Sequence, residues 1–504
     1  MATTIVHFNN ARRYRRPVLV WCGGCQELQP VEPTGTDAFG PFYEIEVESE
    51  QFEFTFRDGV LGDPDMSALQ RSFAPPPEAN APVEIWCQSG NPFVYQVCPR
   101  QPDRRHASEY LRTLRFKEGV YVPGSGGLSG LGATVLAEAG VLFGLYHPTA
   151  ARVYVMGDFN DWNGPDGDPE KVVELRRYRG WFNTANTWLT VVDKAKAGDE
   201  YQFVVVGGVP SNGGTSTLEV TDPYARVLGE TRSGLCAAVV DPTEYEWRDE
   251  GWQTPLPSDL IVYELSVYGL TAGLDDLPDR RKGRFSGVVE LMKDGYFEDL
   301  GINLLALMPI TEVPSQQGPE SLGYNPILPM TVERDLGTPE GLRAMVDAAH
   351  GHGLAIILDK VFNHTSNRAN LLWQTVLEHP DEEARNEGGL YFAGETPWGN
   401  RTALHKEDVQ NLFIDACKMW LQEYHVDGFR FDATSTMYMD HGFVIRLARE
   451  LQAFRPGVIL VAENLPNESD LNLEGYNGIM QWSCLFHHKM KALLREGQYL
   501  DWHA

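Results

Sequence analysis

The stretch TPEGLRAMVDAAHGHGLAIILDKVFNHT, residues 338–365, joins a helix to a strand and indicates the fold class. Thr338 can act as the helix N-cap with Pro339 at the first helical position, and Gly353 ends the helix. The apolar residues of the helix share one face, at Leu342, Met345, Val346 and Ala349. LAIILDKVF then reads as a buried strand, because a short continuous apolar run is typical of a parallel sheet covered on both faces.

Apolar runs of strand length repeat through the C-terminal half of the chain. The others are IVYELSV (261–267), NLLALMPI (303–310), GFRFDA (428–433), VILVAENL (458–465) and GIMQWSC (478–484). Strands that alternate with helices predict a parallel sheet, either a (β/α)8 TIM barrel or a doubly wound sheet. The runs amount to six strands, whereas a TIM barrel closes with eight. We therefore predict an incomplete (β/α)8 barrel over residues 255–504.

Two β domains are expected before the barrel. Residues 1–120 contain short alternating pieces such as QFEFTFRDG (51–59), which predict a small β domain that could bind carbohydrate. Residues 135–245 contain strands at regular spacing, among them VLFGLYHP (141–148), and predict a β-sandwich. YVPGSGGLSGLGA (121–133) is rich in glycine and serine and is predicted to be a flexible linker. The chain is thus expected to be a multidomain protein of β-sandwich domains followed by a barrel.

The net charge of the chain limits the classes of partner that it is expected to bind. A net charge of −28, from 70 acidic against 42 basic residues, argues against nucleic acid and favours a neutral substrate. No run approaches the roughly 18 apolar residues of a membrane helix, and the first residues lack the apolar core of a signal peptide. We therefore expect a cytoplasmic protein without a membrane partner. The pair Cys22 and Cys25 has no second pair at zinc-site spacing, so no metal or cofactor is predicted.

Polar residues gather where the predicted strands end. LAIILDKVFNHT ends in Asp359, Asn363 and His364, GFRFDA ends in Asp432, and VILVAEN ends in Glu463. The C-terminal strand ends of a β/α barrel carry its active site. For any single one of these acids, a structural role as a helix N-cap or loop residue has the same odds as a catalytic role. Three strands that each deliver a carboxylate are a catalytic arrangement.

The neighbouring Arg430 argues against a purely structural role for Asp432. Residues two apart in a strand point to the same face, so the guanidinium lies beside the carboxylate and keeps it ionised. An ionised carboxylate can act as a nucleophile. Glu463, one strand further, is the candidate for a second, protonated carboxyl group beside it.

Three of these segments resemble, in the same order, short motifs of the α-amylase family, glycoside hydrolase family 13. They are LDKVFNH (358–364), GFRFDA (428–433) and AEN (462–464). Other segments look like the branch that holds glycogen branching enzymes and maltooligosyl-trehalose trehalohydrolases, namely SLGYNP (321–326), TPWGN (396–400) and EYHVDGF (423–429). GDFNDW (157–162) and TDPYA (221–225) resemble the carbohydrate-binding sandwich that precedes the barrel in those enzymes. The resemblance covers about residues 135–504.

The resemblance implies roles for individual residues. Asp432 would be the nucleophile and Glu463 the general acid/base. The residues of the implied sugar-binding set are Tyr324, Asn363, His364 and Arg430. In this set Tyr324 would stack on the ring of the sugar that His364 and Arg430 hold. Asn363 matches a calcium position of many amylases that branching-type relatives commonly lack, so it is assigned to the substrate site without a metal.

One feature of the family has no match in the sequence. The family's catalytic set includes a further aspartate, usually after a histidine, on a strand well beyond the acid/base residue. No His-Asp pair follows Glu463; Asp470 comes too soon, and Asp501 has no strand pattern before it. We therefore expect this aspartate beyond residue 504 and a catalytic domain that is truncated at its C-terminus.

The resemblance implies a retaining enzyme that acts on α-glucan polysaccharides or oligosaccharides. A 1,4-α-glucan (glycogen) branching enzyme is favoured. The alternatives are an α-glucan hydrolase of the amylase, debranching or trehalohydrolase type, and a non-catalytic protein that binds glycogen or starch. Trp162, Trp181 and Trp188 could stack on glucose rings, but Trp188 lies in an apolar run and is better explained as core.

Overall fold

A computed structural model describes residues 2–10, 14–23, 29–48, 50–59, 71–76, 81–89, 93–125, 127–180, 186–207, 216–314, 322–372, 390–465, 467, 471 and 478–496. All structural statements concern these residues. Trp181, Asp470 and Asp501 lie outside them, as does the first residue of SLGYNP.

The first domain is a β-sandwich. Its strands are β1 (Ala2–Asn9), β2 (Pro17–Cys22), β3 (Gln29–Val31), β4 (Gly35–Thr36), β5 (Pro41–Val47), β6 (Phe52–Asp58), β7 (Arg71–Phe73), β8 (Val83–Gln88) and β9 (Val94–Tyr95). They form two sheets, in the orders β4-β5-β1-β8-β9 and β3-β2-β6-β7. Alternate residues of β6 face inward, and Phe52, Phe54 and Phe56 are buried between the sheets. The aromatic residues of QFEFTFRDG therefore fill a core.

A second sandwich follows. After helix α1 (Ala107–Leu111), its strands are β10 (Gly132–Val135), β11 (Val141–Tyr146), β12 (Ala150–Gly157), β13 (Val173–Glu174), β14 (Arg176–Tyr178), β15 (Thr187–Val192), β16 (Glu200–Gly207), β17 (Ser216–Val220) and β18 (Ala237–Ala238). The sheets have the orders β10-β11-β15-β14 and β13-β12-β16-β17, with β18 on β16. Trp188 is fully buried and donates to the carbonyl of His147 at 3.2 Å, which confirms its core role. Helix α1 packs on this sandwich through Leu142 and Leu189.

The C-terminal half contains an open parallel sheet. Its strands are β19 (Val262–Leu265), β20 (Leu304–Leu307), β21 (Ala355–Lys360), β25 (Gly428–Phe431), β26 (Ile459–Ala462) and β27 (Met480–Gln481), in that order across the sheet. A smaller sheet, β22 (His364–Thr365), β23 (Phe392–Thr396) and β24 (Gly399–Thr402), is inserted between β21 and β25. The part of the chain that the structure describes thus holds the six strands predicted from sequence, arranged as an incomplete barrel.

Helices cover the parallel sheet. They are α2 (Val267–Thr271), α3 (Phe285–Lys293), α4 (Tyr296–Asp299), α5 (Pro339–Gly351), α6 (Glu407–Glu423), α7 (His441–Phe454) and α8 (Cys484–Glu496). Helix α5 begins as predicted, because the Thr338 hydroxyl accepts from the N–H of Gly341 at 3.1 Å and Pro339 is the first helical residue. Gly353 has φ of 73°, a conformation that favours glycine and ends the helix. No helix among the described residues is long and apolar enough to cross a membrane.

The segment 121–133 was predicted to be a flexible linker, and that prediction is wrong. Asp415 of helix α6 is fully buried and accepts hydrogen bonds from Tyr121 Oη at 2.6 Å, from the N–H of Gly124 at 3.0 Å, and from both N–H and Oγ of Ser125 at 2.9 Å. The N–H of Tyr121 donates to Glu423 at 3.0 Å. Glycine and serine serve here to bring backbone donors close to a buried carboxylate, so composition alone was misleading.

Helix α6 also contacts the second sandwich through a buried ion pair. Arg226, which follows the TDPYA segment, donates from Nε and Nη2 to the two carboxylate oxygens of Glu423, each at 2.8 Å. Both side chains are almost completely buried, with exposed fractions of 3% and 0%. Removing either partner would leave an uncompensated buried charge, which costs about 3–5 kcal/mol. The sandwich and the half-barrel are therefore joined by specific ion-pair geometry.

Candidate active site

The candidate site lies at the C-terminal ends of three neighbouring strands. Asp359 is near the end of β21, Arg430 is near the end of β25, and Asp432 and Glu463 are the first residues after β25 and β26. The register pairs Asp359 with Arg430, so their Cα atoms are direct neighbours across the sheet. Parallel strands place their C-terminal ends at one edge, and the site forms there.

Arg430 is the centre of the site and contacts three carboxyl groups. Its Nη1 lies 2.8 Å from both carboxylate oxygens of Asp359 and 2.8 Å from Oδ1 of Asp432. Its Nη2 lies 2.8 Å from Oε2 of Glu463. The guanidinium offers several donors in a fixed plane, so one side chain can orient all three acids. The sequence predicted the pair with Asp432, and the structure adds Asp359 and Glu463.

Three carboxyl groups share one guanidinium in a buried site. Because a single positive charge cannot balance three negative ones there, protonation of some of the carboxyl groups is favoured. Burial raises the pKa of Asp359 to about 7, against the opposing effect of Arg430. Burial also raises the pKa of Glu463, again against Arg430. The neighbouring carboxyl group of Asp432 is a further cause of the raised pKa of Glu463. Glu463 is therefore suited to be a protonated acid at this site.

Asp359 is the residue that sequence reasoning left without a role. It is 5% exposed and accepts from Tyr324 Oη at 2.7 Å in addition to its contacts with Arg430. Burial raises the pKa of the Tyr324 hydroxyl well above its usual range, so the phenol stays a donor. The signal was present in the sequence, because LDKVFNH places this acid at a strand end. Its distance of 71 residues from Arg430 hid the contact.

Asn363 and His364 are both buried beside the carboxyl groups. Asn363 Nδ2 donates to the main-chain carbonyl of Asp432 at 3.0 Å and to its Oδ2 at 3.3 Å. His364 Nε2 lies 2.9 Å from the carbonyl of Tyr324, and its Nδ1 contacts Asn363. Burial lowers the pKa of His364, which favours a neutral ring. These contacts orient Asp432 and Tyr324, and the predicted contact of Asn363 and His364 with sugar stays a prediction.

Two further residues complete the surroundings. Lys360 is 1% exposed, its Nζ lies 4.0 Å from the centre of the Trp420 ring, and it lacks a hydrogen-bond partner among the described residues. Trp398, in the TPWGN segment, is 45% exposed and its ring centre lies 5.7 Å from that of His364. The described residues contain no group of three or more His, Cys, Asp or Glu side chains that could hold a metal ion.

A parallel half-barrel sheet with acids at its C-terminal strand ends, preceded by β-sandwich domains, has the architecture of a multidomain barrel enzyme. A family model for the alpha amylase catalytic domain matches residues 270–399, which include Tyr324, Asn363 and His364. A model for carbohydrate-binding module 48, the isoamylase N-terminal domain, matches residues 130–225. These matches confirm the resemblance to the α-amylase family, glycoside hydrolase family 13, over residues 130–225 and 270–399.

Individual relatives agree with this family. Malto-oligosyltrehalose trehalohydrolase of Saccharolobus solfataricus is 27% identical over 379 residues, 73% of this chain and 58% of the relative. The 1,4-alpha-glucan branching enzyme GlgB of Thiobacillus denitrificans is 30% identical over 362 residues, 66% of this chain and 45% of the relative. A crystal structure of a putative alpha amylase from Salmonella typhimurium has a TM-score of 0.56 at 25% identity, covering 74% of this chain and 57% of that one. The chain spans about half the length of the curated relatives it matches.

Proposed function

We propose that this chain belongs to an α-glucan-active retaining enzyme and that its reaction is glucan transfer, as in a 1,4-α-glucan branching enzyme. The observation that carries the proposal is the contact of one guanidinium, that of Arg430, with both Asp432 and Glu463, each at 2.8 Å. Carboxyl groups of retaining enzymes stand about 5–5.5 Å apart, whereas inverting enzymes need roughly 6.5–9.5 Å to admit water. One guanidinium that binds both carboxyl groups holds them close together, which favours the retaining mechanism.

The first step breaks the glycosidic bond. An ionised oxygen of Asp432 attacks the anomeric carbon and forms a glycosyl ester, while the bond from that carbon to the leaving oxygen breaks. The proton of Glu463 moves to the leaving oxygen. Arg430 binds Oδ1 of the nucleophile at 2.8 Å, and burial raises the pKa of Glu463, which favours the protonated acid. Asn363 supports the nucleophile by holding its backbone and its Oδ2.

The second step resolves the ester. Glu463, now ionised, takes a proton from an acceptor hydroxyl, whose oxygen attacks the anomeric carbon and releases Asp432. If the acceptor is a sugar 6-hydroxyl, the product is an α-1,6 branch. If the acceptor is water, the product is a hydrolysed glucan with a new reducing end. The sandwich with GDFNDW, and the match to carbohydrate-binding module 48, favour a polymeric glucan.

A trehalohydrolase is the second candidate. The trehalohydrolase from S. solfataricus matches 73% of this chain, against 66% for the branching enzyme from T. denitrificans, although the identities are 27% and 30%. The TPWGN segment and residues 475–488 also resemble trehalohydrolases. Residues 475–477 lie outside the described part of the chain. A non-catalytic glycogen- or starch-binding protein is the remaining alternative.

One assay separates these candidates. The full-length protein is incubated with amylose and with maltooligosyl trehalose, and the iodine spectrum, new reducing ends and free trehalose are measured. Transfer shifts the iodine spectrum without new reducing ends, amylose hydrolysis creates reducing ends, and a trehalohydrolase releases trehalose. Binding without any product would contradict an enzymatic role. Asp432→Asn is the matched inactive control.

We also propose a cytoplasmic location. The described cysteines are free thiols, as expected of a reducing compartment, at Cys22, Cys87, Cys98, Cys236, Cys417 and Cys484. Fractionation of cells that express the tagged full-length protein tests this, and recovery from the medium or the membrane fraction would contradict it.

A further inference from the structure

A cluster of exposed arginines lies on helix α1 and strand β14 of the second sandwich, in a chain that is otherwise acidic. Residues 99–117 and 176–179 hold nine lysine and arginine residues and two acidic ones, whereas the whole chain has 42 basic and 70 acidic residues. Six arginines of these two segments are exposed, and together they are called the arginine patch: Arg104, Arg105, Arg112, Arg115, Arg176 and Arg179. The candidate active site, on the half-barrel, uses none of them.

The two segments that carry the patch are adjacent in space. The N–H of Ala107 donates to the carbonyl of Arg179 at 2.7 Å. The rings of Tyr110 and Tyr178 stack between the segments, with centres 4.9 Å apart and an angle of 12° between the planes. The guanidinium of Arg105 lies 5.7 Å and 5.9 Å from the centres of these two rings. The arginines of both segments therefore form one surface.

This surface is built on packed secondary structure. Leu111 of helix α1 is buried against Leu142 and Leu189 of the sandwich, and Tyr178 belongs to the same apolar cluster. Arg176 comes two residues before Tyr178 in β14, so both side chains lie on the same face of the strand. Tyr178 is covered by the helix, whereas Arg176 is exposed. The backbone that carries the arginines is therefore held in place by a core.

Most of the patch lacks neutralising carboxylates. Arg105 pairs with Asp103 at 3.2 Å, and Arg115 pairs with Glu138 at 3.3 Å. Within the part of the chain that the structure describes, the other four guanidiniums have no carboxylate oxygen within 4.0 Å. Like charges held together repel each other and oppose folding. Concentrated positive charge in a chain of net charge −28 therefore indicates a binding surface for an anionic partner.

The residue type and the extent of the patch select among anionic partners. All six cations are arginine, whose planar pairs of N–H donors match a carboxylate better than the point charge of lysine does. Duplex nucleic acid carries a charge about every 1.7 Å along its whole length, and an anionic membrane is an extended charged plane. Either would extend beyond the patch onto the acidic remainder of the chain and be repelled. A short acidic peptide can confine its charge to the patch.

We propose that the arginine patch binds an acidic segment of a partner protein, with several Asp or Glu side chains in a short stretch. The attraction between the two is electrostatic and charge-assisted, so it weakens as salt rises. The reaction proposed above does not require this contact, and the contact does not depend on that reaction.

A matched pair of double substitutions in the full-length protein tests the proposal. Arg104→Gln with Arg176→Gln removes two charges from the patch, and Arg280→Gln with Arg284→Gln removes two exposed arginines of the half-barrel. The probe is a fluorescent peptide in which glutamate alternates with glycine, and its affinity is measured by fluorescence anisotropy at low salt, with circular dichroism as the folding control. We expect Kd to rise about tenfold in the patch variant and less than about twofold in the control.

Arg104→Lys with Arg176→Lys keeps both charges and should bind within about threefold of the parent. Equal affinity of the glutamine variant and the parent, or equal losses in the patch and half-barrel variants, would overturn the proposal. Equal binding of a peptide with glutamine in place of glutamate would also overturn it. Tighter binding of single-stranded DNA, or of vesicles that contain phosphatidylserine, would overturn it as well, because the partner would then be a nucleic acid or a membrane.

Discussion

Replacing Arg430 by glutamine tests the charge arrangement of the site. The substitution removes four contacts of 2.8 Å between the guanidinium and three carboxyl groups. The site is buried, since Arg430 is only 7% exposed, so the carboxyl groups would lose their cation in a place with little water. Breaking a buried ion pair by removing one partner costs about 3–5 kcal/mol. We expect a loss of that size in the free energy of unfolding at pH 8, where the carboxyl groups would have to remain ionised without a cation.

The loss should depend on pH in a defined direction. Without the guanidinium, the folded-state pKa values of Asp359 and Glu463 rise further above their unfolded values. A group whose folded pKa is raised contributes stability at low pH that is lost as pH rises through the folded pKa. The carboxyl groups can accept protons at pH 5, so the loss there should be smaller, about 1–2 kcal/mol.

Urea unfolding of the full-length protein at pH 5 and pH 8, followed by tryptophan fluorescence, measures both quantities. Arg430→Lys is the matched control, because it keeps a positive charge but cannot present two nitrogens in one plane. It should recover most of the stability but little of the activity. A loss below about 1 kcal/mol for Arg430→Gln at both pH values would refute the view that this guanidinium holds buried, ionised carboxyl groups.

Four further substitutions test other parts of the molecule. Asp432→Asn should lower turnover by about 10⁴-fold with maltooligosaccharide binding retained, and more than a tenth of parental activity would contradict a nucleophile. Glu463→Gln should impair aryl glycosides with good leaving groups far less than natural glucans, and equal impairment in steady-state assays would exclude an acid. Burial lowers the pKa of Lys360 to about 7, so folding stability should rise with pH between about 7 and 10.5, and urea unfolding of Lys360→Met should lack this rise. Asp415→Asn should speed limited proteolysis within residues 121–131, because it weakens the anchor of that segment, and an unchanged cleavage rate would argue against the anchor.

The local features of the half-barrel could be read from the sequence. The 338–353 helix has a hydroxyl cap, a proline at its first position, an apolar face and a terminal glycine, and the structure contains a helix over Pro339–Gly351. The six apolar runs became the six parallel strands, and the acids expected at strand ends are at strand ends. Each of these features depends on residues that are close together in the sequence, within one helix or one strand. The pattern of residue types along the chain is therefore enough to predict them.

Contacts between distant residues were decided only by the tertiary structure. Composition marked 121–133 as a flexible linker, but Asp415, almost 300 residues away, binds its backbone donors. The sequence paired Arg430 with Asp432 because they are neighbours, while Asp359 and Glu463 joined them only through the registry of adjacent strands. In the sequence, Trp398 is only one residue of the TPWGN motif. In the structure, the hairpin places it beside His364. Periodicity and capping act over a few residues, whereas burial, charge balance and sheet registry depend on which distant segments the fold brings together.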